Sequence, residues 1–235
     1  MYSIIVNQLS KESETKGFKI LSDIQFTVKT GEVFGILGEN GSGKTTLIEC
    51  LLGLSIINAG EIILCNKIQK FGKNTIKGLS AYYVSSESEV FEYLTGIENI
   101  QFNCELYKNK VSNEEIVKNL KKFHIFDHKN KLVKDYSKGM KQRLILCMME
   151  LVNPDLIFLD EPTTGLDYLA LDLLESTIKE FKKRKKTIVI ATHDIKFAFS
   201  TFDKWLLMEN GKIKTSGINN ELSGLVEMWS INKEF

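Results

Sequence analysis

The 235-residue chain has almost no charge imbalance: 31 basic and 30 acidic side chains leave a formal charge of +1. Bulk electrostatic affinity for nucleic acid needs a strong basic excess and is not expected. No apolar run reaches the ~18–20 residues that a membrane-crossing helix requires. The opening MYSIIVNQLSKES lacks the basic start, apolar stretch and small-residue cleavage site of a secretion signal. Any action at a membrane is therefore expected to pass through a partner. Cysteine is sparse too. Cys50, Cys65, Cys104 and Cys147 are widely spaced and form no CxxC pair, so the expectation is four buried thiols in a reducing compartment. There is no internal repeat and no low-complexity tract.

What is present suits an ordinary globular core. With 43% hydrophobic and 26% charged residues, a chain of this length buries roughly 70–75% of its unfolded surface. The one dense basic run, KKRKK at Lys182 to Lys186, follows the helical pattern LDLLESTIKEF. Its cations are best placed in water at a helix C-terminus, where the dipole favours them. The first third alternates as strands do, in SIIVNQL, IQFTV, EVFGIL and GEIILCN. From about Thr95 to Leu151 the period turns helical, with capping boxes at Thr95–Glu98 and Ser112–Glu115. DLIFLDE and TIVIAT then read as buried parallel strands, and KWLLMENGKIKTSG as a hairpin turning at Asn210-Gly211. The organisation expected is one α/β domain over 1–235: a core of 1–94 and 152–235, with an α-helical lobe inserted at about 95–151.

Chemistry enters at GENGSGKTT, Gly38 to Thr46, which matches G-x-x-x-x-G-K-[ST] between the strand EVFGIL and the apolar helix TLIECLLGL. Glycines let backbone N–H groups wrap phosphate oxygens, and the helix start adds its dipole. Lys44 supplies a point charge, and Thr45 offers a hydroxyl to Mg²⁺. Four apolar residues lead into Asp160-Glu161 at a strand end, where α/β sheets present ligands. Asp160 suits the metal shell, and Glu161 suits a general base that takes a proton from water attacking the γ-phosphate. His193 ends TIVIAT; it suits a γ-phosphate contact or a structural strand end equally. His124 and His128 stand at i, i+4, but no third metal ligand is near. YSKGMKQRL at Tyr136 to Leu144 raises a question, because a hydroxyl residue and a glycine there open a second helix suited to an anion.

GENGSGKTT, YSKGMKQRL, LIFLDEPTTGLD and ATHD, in that order, resemble the ATP-binding cassette of ABC transporters over essentially the whole chain. The resemblance implies a P-loop NTPase fold of the ABC ATPase type: a mixed, largely parallel sheet, an N-terminal antiparallel β part and the inserted helical subdomain. It implies ATP and Mg²⁺ as cofactors, with Asn40, Gly41, Ser42, Gly43, Lys44, Thr45 and Thr46 around the phosphates. It also implies an answer for the second helix start. Two cassettes pack head to tail, so Ser137 and Gly139 serve the ATP held by a partner, and Asp167 crosses the interface. Glu161 matches the catalytic glutamate and His193 the switch histidine, which act with Lys44.

Two positions depart from the family pattern. The glutamine that usually senses Mg²⁺ falls on Ser86, with Glu87 beside it; a serine would need a bridging water to reach the metal. The aromatic residue that stacks on adenine falls near Thr15 to Phe18, where Phe18 is the only aromatic. The expected activity is ATP hydrolysis by a cytoplasmic subunit, peripheral on the inner face of the cell membrane. It would dimerise with an identical or different cassette and drive a separate membrane permease, in a manner closer to drug and peptide-antibiotic exporters than to nutrient importers. Rival readings are a degenerate cassette that closes on ATP with little hydrolysis, motivated by Ser86, and an ABC ATPase acting on ribosomes or DNA.

Overall fold

The computed structural model describes residues 1–13, 17–65, 67–70, 80–85 and 90–222. Two sheets organise the chain. Strands β1 (Tyr2–Glu12), β2 (Lys19–Lys29), β4 (Ala59–Leu64) and β5 (Lys67–Lys70) form an antiparallel sheet in the order β2-β1-β4-β5. The second sheet adds β3 (Val33–Gly38), β6 (Ala81–Val84), β7 (Leu156–Asp160), β8 (Thr187–Thr192), β9 (Lys204–Glu209) and β10 (Lys212–Ile218). Its order is β10-β9-β3-β8-β7-β6, parallel except for the β9–β10 hairpin.

β3, β7 and β8 are buried at every residue, as strands covered on both faces must be. Their alternate side chains divide the interior into two layers. Leu37, Ile157, Leu159, Ile188 and Ile190 face one apolar cluster, while Phe34, Ile36, Phe158, Val189 and Ala191 face the other. The second layer is closed by the antiparallel sheet and helix α1 (Lys44–Leu52). The first is closed by α2 (Gly96–Leu106), α3 (Asn113–Lys122), α4 (Lys138–Val152), α5 (Tyr168–Lys183) and α6 (Ile195–Thr201). The helical stretch thus shares one apolar cluster with the sheet: Leu120, Phe123, Leu144 and Cys147 pack in the same group as Tyr82, Leu159 and Phe181.

Both capping boxes form: Thr95 Oγ1 accepts from Glu98 N at 3.3 Å, and Ser112 Oγ accepts from Glu115 N at 3.2 Å. The hairpin turns at Asn210 and Gly211 with φ of 49° and 72°, the mirror-image turn that Asn-Gly favours. Lys182 and Lys183 lie in the last turn of α5. Two findings differ from the sequence reading. Cys65 is exposed, because GEIILCN ends its strand at Leu64 and Cys65 enters the β4–β5 turn at φ 46°. The short edge strands β5 and β6 carried no readable alternation of their own. The basic run lies at that helix end as expected: Lys182, Lys183, Arg184 and Lys185 are exposed, with Lys182 paired to Asp203, Arg184 to Glu150 and Lys186 to Asp155. Among the described residues, no helix is long and apolar enough to cross a membrane.

The parallel register aligns the ends that matter. Leu37 sits opposite Thr192, and Asp160 opposite Ala191, so β3, β8 and β7 deliver their carboxyl ends to one sheet edge. That edge is where open α/β sheets bind ligands.

Candidate nucleotide-binding site

The loop from β3 to α1 is folded by its glycines. Gly41 and Gly43 adopt φ of 82° and 102°, which side-chain-bearing residues rarely accept. A Cβ at Gly43 would also approach Leu21 Cδ2 to 2.9 Å. The loop is braced from outside: Gly211 N donates to Ser42 O at 3.1 Å, and Ser22 N to Gly211 O at 2.9 Å. The hairpin turn and the start of β2 therefore fix the loop's shape.

Lys44 is buried. Its Nζ donates to Gly38 O at 2.8 Å and Glu39 O at 3.1 Å, and lies 3.2 Å from Glu161 Oε1. Thr45 Oγ1 donates to Asp160 Oδ2 at 2.6 Å. Ser42 Oγ and Asp160 Oδ1 are buried without a hydrogen-bond partner among the described residues, and Gly43, the N-cap of α1, supplies no side-chain cap. Buried polar groups without partners are rare and call for an explanation. The donors here, a helix start, an ammonium and a hydroxyl, fit a polyphosphate. Thr45 and Asp160 offer the hard oxygen ligands that a small divalent cation takes. Burial pushes the Asp160 carboxyl above its ordinary range, against the Thr45 hydrogen bond that pulls it down. A cation at Oδ1 would remove that penalty.

Glu161 is held from three sides. His193 Nδ1 lies 2.9 Å from Oε2, Thr192 Oγ1 donates to Oε2 at 3.2 Å, and Lys44 stands at Oε1. Its backbone occupies the left-handed region at φ 50°, with its N–H donating to Ala191 O at 2.8 Å. Such strain persists only where the surroundings fix it. Burial alone would raise the Glu161 carboxyl, but the His193 hydrogen bond and the Lys44 charge outweigh it and hold the group below its ordinary range. The result is an oriented, ionised carboxylate beside the metal-type pair, able to accept a proton from water. Thr192, which the motif reading did not single out, belongs to this group; its place beside His193 was the available signal.

The second helix start lies apart. Ser137 N-caps α4, its Oγ accepting from Met140 N at 3.2 Å, and it is exposed. Asp167 N-caps α5, its Oδ1 accepting from Ala170 N at 2.7 Å. The two caps meet: a Cβ at Gly139 would stand 2.5 Å from Asp167 Oδ2, and one at Gly165 would stand 2.1 Å from Lys138 Nζ. None of Ser137, Gly139 and Asp167 hydrogen-bonds the phosphate loop of its own chain, among the described residues.

Asn40 is exposed on the loop, and Thr46 is half-buried in the first turn of α1. Phe18 is 55% exposed and so is not core packing. It lies two residues before Ile20, whose carbonyl approaches the phosphate loop at Gly43. Ser86 and Glu87 lie outside the described residues. His124 is exposed, whereas the His128 carbonyl accepts from Tyr136 Oη at 2.7 Å.

Fold and site together define a P-loop nucleotide-binding ATPase. A family profile described as ABC transporter matches residues 21–164, more than half of the chain. The ABC transporter ATP-binding protein YhcH of Bacillus subtilis is 32% identical over 200 residues, 84% of this chain and 65% of its own length. The fluoroquinolones export ATP-binding protein MT2762 of Mycobacterium tuberculosis is 32% identical over 191 residues, 81% of this chain and 62% of its own. The chain thus spans a little under two thirds of the length of these two relatives. A solved ATP-binding subunit of an ABC transporter superimposes with a TM-score of 0.81 at 26% identity, covering 95% of this chain and 93% of that one. The chain belongs to the ABC transporter family, as one of its ATP-binding ATPase subunits.

Proposed function

We propose that the chain binds Mg-ATP at the Gly38–Thr46 loop, closes on it with a second cassette, hydrolyses it, and thereby drives a separate membrane permease in the export direction. The observation that carries this is the separation of two anion-suited helix starts within one chain. The α1 cradle has unpartnered buried groups of its own, while the exposed α4 start and its neighbour Asp167 have no ligand to serve unless a second molecule brings one.

In this reading Lys44 and the N–H groups of residues 40–46 bind the phosphates, and Phe18 stacks on adenine. Thr45 and Asp160, with Ser86 in the outer shell, would hold the magnesium ion, which when bound neutralises charge on the β- and γ-phosphates. Glu161, oriented by His193 and Thr192, takes the proton of the attacking water. Ser137 and Gly139 of one copy address the terminal phosphate held by the other, and Asp167 lies between them. Export is supported by the relative named for fluoroquinolone export and by the wording of YSKGMKQRL. A cytoplasmic position against the inner face of the membrane follows from this partnership.

Solution mass of Glu161→Gln by light scattering, with and without Mg-ATP, tests the reading. Removing the base blocks hydrolysis and should trap a dimer that disperses when ATP is withdrawn. A chain that stays monomeric at saturating Mg-ATP refutes self-pairing. Direction is tested in inside-out vesicles carrying the cognate permease, where ATP-dependent accumulation is expected and ATP-dependent loss would exclude export.

A further inference from the structure

A closed ring of four charges lies at the far end of α4 from Ser137 and has no part in the nucleotide chemistry. Lys122 at the end of α3 places Nζ 2.6 Å from Glu180 Oε2 and 3.5 Å from Glu150 Oε1. Arg184, the C-cap of α5, closes the ring with a contact to Glu150 and one of 3.3 Å to Glu180. Signs alternate around it, and each member touches both neighbours of opposite charge. Glu150, on the last turns of α4, is 11% exposed, and its Oε2 is buried without a hydrogen-bond partner among the described residues. A carboxylate so placed depends on the adjacent cations for its solvation. Arg184 also reaches Asn153 Oδ1 at 3.4 Å, and Lys186 donates to Asn153 O at 3.1 Å; Asn153 is the C-cap of α4.

The other ends of the same two helices also touch, through Gly139 against Asp167 and Lys138 against Gly165. α4 and α5 are therefore ion-paired at one end and in close approach at the other. We infer that the Lys122–Glu180–Arg184–Glu150 ring makes α4 and α5 a single lever and sets its tilt, so that Ser137 and Asp167 reach a partner's nucleotide at a fixed separation. These are positioning residues. The inference rests on the proposed two-cassette function. Geometry makes the lever sensitive: α4 has 15 residues and is about 22 Å long, so a tilt of about 3° at the ring moves Ser137 by about 1 Å. Displacements of that size can cost a site on the order of a hundredfold.

The test uses the full chain carrying Glu161→Gln, with Lys122→Met or Lys122→Arg added. Three readouts are compared: amide hydrogen exchange without nucleotide, binding of a fluorescent ATP analogue to the monomer, and the Mg-ATP concentration dependence of dimer mass. Lys122→Met should accelerate exchange in the first turns of α4 and α5, some 20 Å from the substitution. It should shift the dimerisation midpoint by about tenfold, the scale of coupling in such networks, while monomer binding of the analogue stays unchanged. Lys122→Arg keeps the charge and should restore all three. Faster exchange confined to α3 and the end of α4, with dimerisation intact, would reduce the ring to a local staple and overturn the inference alone. If the intact ring also yields no dimer, the two-cassette reading fails and the inference falls with it. A loss of folding in Lys122→Met that Lys122→Arg does not repair would also overturn it.

Discussion

Replacing Gly139 by alanine separates stability from function in a way the structure makes quantitative. Gly139 is the second residue of α4, where alanine is the better helix former by up to about 1 kcal/mol. The added Cβ, however, would stand 2.5 Å from Asp167 Oδ2 and 3.3 Å from its Cγ. Relief requires the carboxylate to move by about 1 Å, given ordinary van der Waals spacing, which breaks the 2.7 Å bond by which Asp167 caps α5. Loss of such a cap costs about 1 kcal/mol. The two effects nearly cancel, so the melting temperature of the nucleotide-free chain should stay within about 4 °C of the parent. ATP-driven dimerisation should nevertheless fail, because the start of α4 and Asp167 are displaced together. Calorimetry gives the first quantity, and light scattering in the Glu161→Gln background gives the second. A melting temperature lower by more than about 8 °C would mean the contact is chiefly a packing element. A dimer formed at the parental ATP concentration would show that neither Gly139 nor the position of Asp167 matters to closure.

Phe18→Ala should change stability by no more than about 0.5 kcal/mol, since the ring is largely exposed, yet weaken ATP binding by about 1–3 kcal/mol if the ring stacks on adenine; unchanged affinity in titration calorimetry would remove Phe18 from the site. Thiol alkylation at pH 8 should label Cys65 rapidly and leave Cys50, Cys104 and Cys147 for the denatured chain, because burial pushes Cys50 up to about 11 and raises Cys104 and Cys147 also; a second fast site in peptide mapping contradicts this. The hydrogen bond from Lys122 holds Glu180 below its ordinary value of 4.5. Ionised Glu180 is thus favoured by folding, and its contribution is full above that value and lost as pH falls through the lowered folded one. The melting difference between the parent and Lys122→Met should therefore be constant near neutrality and shrink below about pH 4.5; a difference that grows in acid reverses the sign.

The elements with local signals were legible before any coordinates. The two capping boxes, the Asn-Gly turn and the uninterrupted apolar runs of β7 and β8 each follow from short-range chemistry, and all formed as read; β3, read as an alternating strand, is instead buried at every residue. The phosphate loop was legible for the same reason, since its spacing constrains one local backbone path. What escaped reading depends on contacts between distant segments. β5 and β6 are short edge strands placed by their partners β4 and β7. Cys65 lies one residue past a strand end that periodicity cannot fix to that precision. The approach of Gly139 to the Asp167 carboxylate, where a Cβ would stand 2.5 Å from Oδ2, joins segments far apart in sequence. The four-charge ring joins residues 122, 150, 180 and 184 from three helices, a pattern no window of sequence contains.

The Lys44 ammonium is held by groups of its own chain. Lys44 satisfies its charge with the carbonyls of Gly38 and Glu39 and with Glu161, so an arriving phosphate must replace contacts worth more than water offers a surface lysine. That exchange also acts on Glu161. Of its fixed partners, Lys44 stands at Oε1, while His193 and Thr192 both bind Oε2. Under the proposed function, a phosphate that drew Lys44 away would leave Oε1 as the free acceptor, while His193 and Thr192 would hold the carboxylate through Oε2. Losing a cation also raises proton affinity, which is the direction a general base requires. Under the proposed function, the pairing of Lys44 with Glu161 would link substrate binding to activation of the base within one chain, before any second cassette arrives.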